Sequence, residues 1–422
     1  MVSVDPDFDT GIRAVSRASG LSLFAVVMAF GALGLFGSIA STLVPAVRAI
    51  FGLSLSAATS VQWIALVGVG LSSLPLARLM ARIGTVRMAF TALAVSFAGC
   101  IAAAAAVTPR IAGEPHYWLF LAALLVLSVG ATALQVSINP LVVALGPSRF
   151  AASRITLAQG VNSLGTLAAV TLSSIVVLAR ADDASVASPT RLMSGIAQTY
   201  LACALFTGLV LLFAILAFKT AKPALSLPAA EPSKSPTGAL RSSWALAGSL
   251  AIAAYVGAEG AIGALLTTFL HQPQILGVSL QAAGLYFATV YCGGMIVGRF
   301  LGGILLRTWQ PSRLLAGVAS MAAAACLIAV MGSGTLAAVA VLLVGLFNAI
   351  MFPVIFAITL ERVAAPASAV SGLLVLATTG GAAVSVLAGL VGDRIGIGAA
   401  FAIPMCAYLI VANFAVRANQ AS

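Results

Sequence analysis

Long apolar runs separated by short polar breaks make up nearly the whole chain, and the runs set its architecture. Each extends for about 20 residues, the length an α-helix needs to cross the hydrocarbon core of a bilayer. Twelve spans are predicted, near Leu21–Val44, Ala57–Ala77, Met88–Val107, Trp118–Leu145, Ile155–Leu178, Ile196–Phe218, Trp244–Leu270, Ala282–Leu306, Leu314–Met331, Leu336–Leu360, Ala367–Val391 and Ile397–Ala415. The runs are continuous, unlike the alternating segments of about ten residues that build a transmembrane barrel, so helices are expected. The first run is too long for the apolar region of a signal peptide, and Asp5, Asp7 and Asp9 precede it; it is read as a retained helix.

One break is longer than the rest. From Lys219 to Ser243 the chain carries Pro223, Pro228, Pro232 and Pro236 among scattered charges, a composition that cannot pack a core. It divides the chain into an N-terminal bundle of six helices (residues 1–218), a linker (219–243) and a C-terminal bundle of six (244–422).

Composition agrees with lipid as the main solvent. Only 7% of residues are charged against 61% hydrophobic, and the mean hydropathy is +1.14, whereas a soluble domain carries about 25% charged residues. The net charge of +11 does not point to nucleic acid, because the basic residues sit singly or in small groups between apolar runs, without interleaved aromatics. Their distribution sets an orientation instead. With the N-terminus in the cytoplasm, sixteen of the 21 lysines and arginines fall inside, and Arg48, Arg110, Arg180, Arg191 and Arg394 fall outside. Both termini are therefore expected in the cytoplasm.

The five cysteines lie in apolar runs without paired spacing, and only two histidines are present. No disulfide framework, metal site or cofactor is expected.

Polar residues deep in a span are costly and generally face the bundle interior or a watery path. In the fourth span, Gln135 and Asn139 are four apart and share a helix face, with Pro140 following; a ligand role and interhelical hydrogen bonding are equally open for this pair. In the fifth span, Gln159 and Asn162 are three apart on one face. Amides offer both donors and acceptors and suit a neutral polyhydroxyl ligand, so a substrate role is favoured here over packing. Neighbouring Gly160 and Gly165 allow close approach of another helix. In the seventh span, Glu259 is the only carboxylate well inside a run, and it is expected to be protonatable or to accept a hydrogen bond from substrate. Gln62, Tyr286 and the Phe352-Pro353 pair are weaker signals; Tyr291 and Asn348 are kept as lining residues.

At these positions the chain resembles the bacterial fucose–proton symporter and glucose/galactose transporter family of the major facilitator superfamily. The stretches that carry the likeness are QVSINPLVVALGP from Gln135, RITLAQGVNSLG from Arg154, YVGAEGAIG from Tyr255, YCGGMIVGRFLG from Tyr291, FNAIMFPVIF from Phe347, and Ser371 to Asp393 with its Gly380-Gly381 pair. They span both halves. The resemblance implies the major facilitator fold, a monomer, and uptake of a hexose or deoxyhexose by alternating access, with Gln159 and Asn162 lining the sugar site. The superfamily motif Gly-x-x-x-Asp-Arg-x-Gly survives only as Arg82 and Gly84, with Ala77 and Ala81 in place of the glycine and aspartate.

Two further departures bear on mechanism. The symporter's glutamate four residues before the Asn-Pro pair is Gln135 here, and aligning on Pro45 puts Ser41 where the symporter has an aspartate. A glutamine or serine does not titrate in the useful range, so the family's proton route is interrupted. Three readings follow: a facilitator, coupling through Glu259, or use of another ion such as sodium. Efflux of an amphipathic compound would call for an apolar pocket, and the amides argue against it. An enzyme would need an acid–base or nucleophile constellation that a single buried carboxylate without a nearby histidine does not supply. A sensor would carry a soluble signalling domain, and the chain has no segment for one.

Overall fold

The computed structural model describes residues 20–36, 60–108, 117–176, 189–221 and 236–420, with positions 39, 47 and 50–52 besides. Twelve helical stretches lie among them. They are α1 (Gly20–Phe36), α2 (Ser60–Ile83), α3 (Thr85–Ala106), α4 (Tyr117–Ala144), α5 (Ala151–Val176) and α6 (Pro189–Ala221). They continue with α7 (Ser243–His271), α8 (Leu280–Tyr286, Phe287–Cys292 and Gly293–Leu305), α9 (Pro311–Met331), α10 (Gly334–Asn348 and Met351–Arg362), α11 (Ala367–Arg394) and α12 (Ile397–Ala400 and Ala402–Gln420). No strand occurs among the described residues. Nine of the stretches are long and apolar enough to cross a bilayer. α5 carries Ser153, Thr156, Gln159, Asn162, Ser163 and Thr166, the composition of a helix turned toward polar surroundings. This is an all-α membrane protein.

The exposed surface is apolar, unlike that of a soluble protein. Leu201, Leu205, Leu209, Leu212 and Leu216 form an exposed stripe at helical spacing along α6, as a lipid-facing surface requires. Ser96, Thr132, Ser137, Asn139, Gln159 and Asn348 are buried.

The chain divides into two compact units, residues 1–145 with 161–233 and residues 146–160 with 234–422. The boundary falls inside α5, so its first ten residues, 151–160, belong with the second unit.

In the first unit, small residues set the helix contacts. A side chain added at Gly99 would strike the backbone of Leu127, and one at Gly130 the backbone of Ser96, so α3 and α4 lie nearly backbone to backbone. The same device joins α1 to α5. A Cβ on Gly34 would run into the carbonyl of Asn162, and one on Gly165 into the carbonyl of Gly31. Small residues at such positions are how membrane helices gain van der Waals contact, since lipid tails are as apolar as leucine.

In the second unit α7 and α11 meet at Gly257 and Gly381, each of which would clash with the other helix if it carried a side chain. Two helices there are irregular for identifiable reasons. α10 breaks between Asn348 and Met351 because Pro353 has no N–H to bond the carbonyl of residue 349 and its ring crowds that turn. α8 passes through a π-helical turn at Phe287–Cys292, a feature that recurs at functional sites because it re-aims the side chains around it.

One basic residue sits differently from the sequence expectation. Arg299, counted among the sixteen basic residues on the cytoplasmic side although it falls within the eighth apolar run, lies within the Gly293–Leu305 segment of α8 and is half-buried. Removing it leaves fifteen basic residues assigned inside against five outside, so the charge bias persists. All five cysteines are free.

Candidate functional site

Asn162 owes its setting to the glycines of α1. With Gly31 and Gly34 bare of side chains, α5 comes close enough for the Asn162 amide nitrogen to donate to the carbonyl of Phe30 at 3.2 Å. One turn further, the Thr166 hydroxyl donates to the carbonyl of Gly34 at 3.3 Å. The side chain of Asn162 remains half-exposed, with its oxygen available for a ligand hydroxyl.

On α4, which runs through Pro140 without a break, Gln135 is half-buried and Asn139 fully buried. Neither the oxygen nor the nitrogen of the Asn139 amide has a hydrogen-bond partner among the described residues. Such a group costs about 1–3 kcal/mol.

The second unit gathers Glu259, Tyr291 and Asn348 into one polar cluster. Asn348, at the end of the first segment of α10, donates from its amide nitrogen to the Tyr291 hydroxyl at 3.0 Å. Tyr291 is 2% exposed and stacks on Phe287, ring centroids 5.3 Å apart and planes 17° apart. Its carbonyl is accommodated only because residue 345 is glycine. Glu259 is half-buried on α7, with the hydroxyl of Tyr255, one turn earlier on the same helix, within side-chain hydrogen-bonding reach. Tyr255, Arg299 and Tyr408 belong to the cluster and were not singled out from the sequence. Tyr408 is fully buried, close to Asn348 and Tyr291. Arg299 is the basic group whose charge acts on the Glu259 carboxylate. Its guanidinium donates through Nη1 to the main-chain carbonyl of Gln159 at 3.1 Å. Gln159 itself is 6% exposed.

The sequence signal for Arg299 was present but misread, since an arginine close to a span end looks like a loop arginine. Tyr255 and Tyr408 gave no signal beyond being aromatics in apolar runs. Tyr286, a weaker signal, is exposed. Ser41 lies outside the described residues, as does the side chain of Gln62. Among the described residues no three or more His, Cys, Asp and Glu side chains stand together as metal ligands would. A separate cleft of about 520 Å³ in the second unit is lined by Ser148, Arg149, Pro311 and Glu361 among others, and none of the seven candidate residues reaches it.

Comparison with known proteins adds four findings. The model of the Major Facilitator Superfamily matches residues 21–386. The chain is 35% identical over 405 residues to a glucose/galactose transporter of Brucella abortus biovar 1 (strain 9-941), covering 95% of each chain. It is 29% identical over 325 residues to the L-fucose-proton symporter of Escherichia coli (strain K12), covering 72% of this chain and 73% of that one. Among solved structures, the transporter FucP in the outward conformation superposes with a TM-score of 0.81 at 24% identity, over 95% of this chain and 99% of that one.

Proposed function

Because the chain belongs to the Major Facilitator Superfamily, a superfamily of membrane transporters and not of enzymes, we propose that it carries a hexose or deoxyhexose, of the glucose, galactose or fucose type, across the bacterial inner membrane by alternating access. Gln159 and Asn162 bind the sugar's hydroxyls, supported by Gln135 and Asn139 on α4 and by Tyr291, Asn348 and Glu259 in the second unit. The observation that carries this reading is α5 itself. It bears two long amides, Gln159 and Asn162, one turn apart, among Ser153, Thr156, Ser163 and Thr166. The names of the relatives, a glucose/galactose transporter and an L-fucose-proton symporter, support the same substrate class.

In this reading the protein is a monomer in the lipid bilayer with both termini in the cytoplasm, and residues 1–218 and 244–422 form six-helix halves joined by a cytoplasmic linker at 219–243. Coupling is to protons, through Glu259. Gln135 cannot titrate, and Glu259 is the carboxylate well inside a span, beside a tyrosine hydroxyl and within the field of an arginine. A facilitator is the second reading, favoured by Gln135 and Ser41 at the positions of the symporter's carboxylates.

Binding tests the substrate assignment directly. Isothermal titration of the purified protein with glucose, galactose and fucose is expected to give saturable heats for at least one sugar. Asn162→Ala should weaken that binding by about tenfold or more, the consequence of losing a hydrogen bond of about 1.4 kcal/mol. Absence of binding for all three sugars, or an Asn162→Ala variant that binds as well as the parent, would remove the sugar reading.

A further inference from the structure

The main chain of α1 decides which edge of the Asn162 amide a ligand meets. The amide nitrogen donates to the carbonyl of Phe30 at 3.2 Å, and the Thr166 hydroxyl, one turn on, donates to the carbonyl of Gly34 at 3.3 Å. Residues 30 and 34 are four apart, as are 162 and 166, so α1 and α5 are joined by two polar rungs at the repeat of a helical turn. The Phe30 carbonyl lies inside α1, where the helical ladder uses one of its lone pairs and leaves the second for Asn162.

Small residues open that second lone pair. A side chain added at Gly34 would run into the backbone of Asn162, and one added at Gly165 would run into the carbonyl of Gly31. Larger residues at these positions would hold the helices too far apart for the amide to reach Phe30.

A carbonyl oxygen only accepts, so the edge of the Asn162 amide that faces Phe30 has to be the NH2. Turned over, the amide would set its own oxygen against the Phe30 oxygen, two acceptors with no proton between them. Oδ1 therefore lies on the edge directed away from that carbonyl. Among the described residues none donates to it, and the side chain is half-exposed. The exposed Leu164 and Leu167 project from the opposite side of α5, so the open edge of Asn162 is turned away from the lipid-facing leucines.

From this arrangement we infer that the Phe30 carbonyl makes Oδ1 of Asn162 a dedicated acceptor, so that the sugar hydroxyl opposite it has to donate its proton. The inference rests on the sugar-binding reading of Asn162. Selectivity follows from it. A hydroxyl both donates and accepts, whereas fluorine and a methyl ether have no proton to give. Either of these in place of the hydroxyl would set an acceptor against Oδ1, and a site built to hydrogen-bond a substrate hydroxyl rejects the analogue that lacks it. The remaining N–H of the amide can serve a neighbouring sugar oxygen, but it supplies no proton at the oxygen edge. The protein therefore selects sugars that are free at the hydroxyl read by Asn162. Gly34 and Gly165 are positioning residues for this selectivity, acting through the approach of α1 to α5.

The experiment is isothermal titration of the purified full-length protein with galactose, glucose and fucose, and then with mono-deoxy and mono-fluoro analogues of the one that binds tightest, one carbon at a time. Asn162→Ala is titrated with the same series. One carbon is expected at which the deoxy analogue binds the parent about tenfold more weakly than the sugar does, while Asn162→Ala binds the two alike. That pattern marks the hydroxyl that Asn162 reads. At the same carbon the fluoro analogue is expected to bind the parent no more tightly than the deoxy analogue.

A fluoro analogue that binds the parent as tightly as the sugar would show Asn162 donating there and would overturn the inference. A series in which every deoxy penalty survives Asn162→Ala would overturn it as well. Asn162→Ser, which keeps a small polar group on α5, gives the same comparison where the alanine variant does not fold. Failure of the sugar reading is a separate result: none of the three sugars then gives saturable heat with the parent, and the inference falls with it.

Discussion

Asn139 is the residue whose chemistry is least explained by packing. It is fully buried, both ends of its amide lack partners among the described residues, and it stands one turn from the half-exposed Gln135. If this amide is kept for a passing ligand and not for the fold, Asn139→Leu should leave the melting temperature equal or higher, because an orphaned amide costs about 1–3 kcal/mol. Sugar uptake should fall in the same variant. A drop in melting temperature would mean that the amide has a structural partner. Tyr291 gives the complementary case. Its hydroxyl accepts from Asn348 at 3.0 Å, and side-chain hydrogen bonds between membrane helices average about 0.6 kcal/mol. Tyr291→Phe is therefore expected to shift thermal stability only slightly, and a loss of transport beyond about threefold would show that the hydroxyl serves substrate and not the fold. At this scale the sequence was informative where polarity was the signal. Gln159, Asn162 and Glu259 stood out against their apolar surroundings. Tyr255 and Tyr408 did not, because an aromatic in an apolar run carries no mark of what its hydroxyl meets.

Helices made legible by length alone were found where the apolar runs predicted them, and the reasons they pack became visible only in three dimensions. Gly31 and Gly34 read as two glycines among forty. Their role depends on Asn162 and Gly165 lying across from them, which no local pattern encodes. Gly34→Val should force α1 and α5 apart, costing about 1–3 kcal/mol in stability by overpacking. It should also weaken sugar binding through displacement of Asn162; a variant with parental melting temperature and binding would contradict the close approach. The run from Leu336 to Leu360 read as one continuous span, whereas α10 breaks immediately before Pro353. The π-helical turn of α8 was not legible, since Phe287–Cys292 contains no proline and has ordinary helix-compatible residues. Arg299 was counted with the cytoplasmic basic residues although it falls within the eighth apolar run, because an arginine near the end of a run reads as a loop residue.

The whole molecule was the most legible level. A chain with 7% charged residues and repeated runs of about 20 apolar residues has few ways to fold, and the described residues hold twelve helical stretches in two compact units. Orientation follows from charge and is testable at the same scale. A single cysteine introduced at Ser226, in the proline-rich linker, is expected to react with an impermeant thiol reagent in inside-out vesicles and not in right-side-out ones; the reverse would invert the topology.

The most direct test of transport itself is uptake of labelled glucose, galactose and fucose by proteoliposomes, with and without an imposed proton gradient. Proton-coupled sugar transport through Glu259 predicts accumulation above equilibrium that follows the gradient and disappears in Glu259→Gln. Sugar that enters only to equilibrium, indifferent to the gradient and to Glu259→Gln, would contradict that coupling and make the protein a facilitator; no entry of any of the three would contradict sugar transport as a whole.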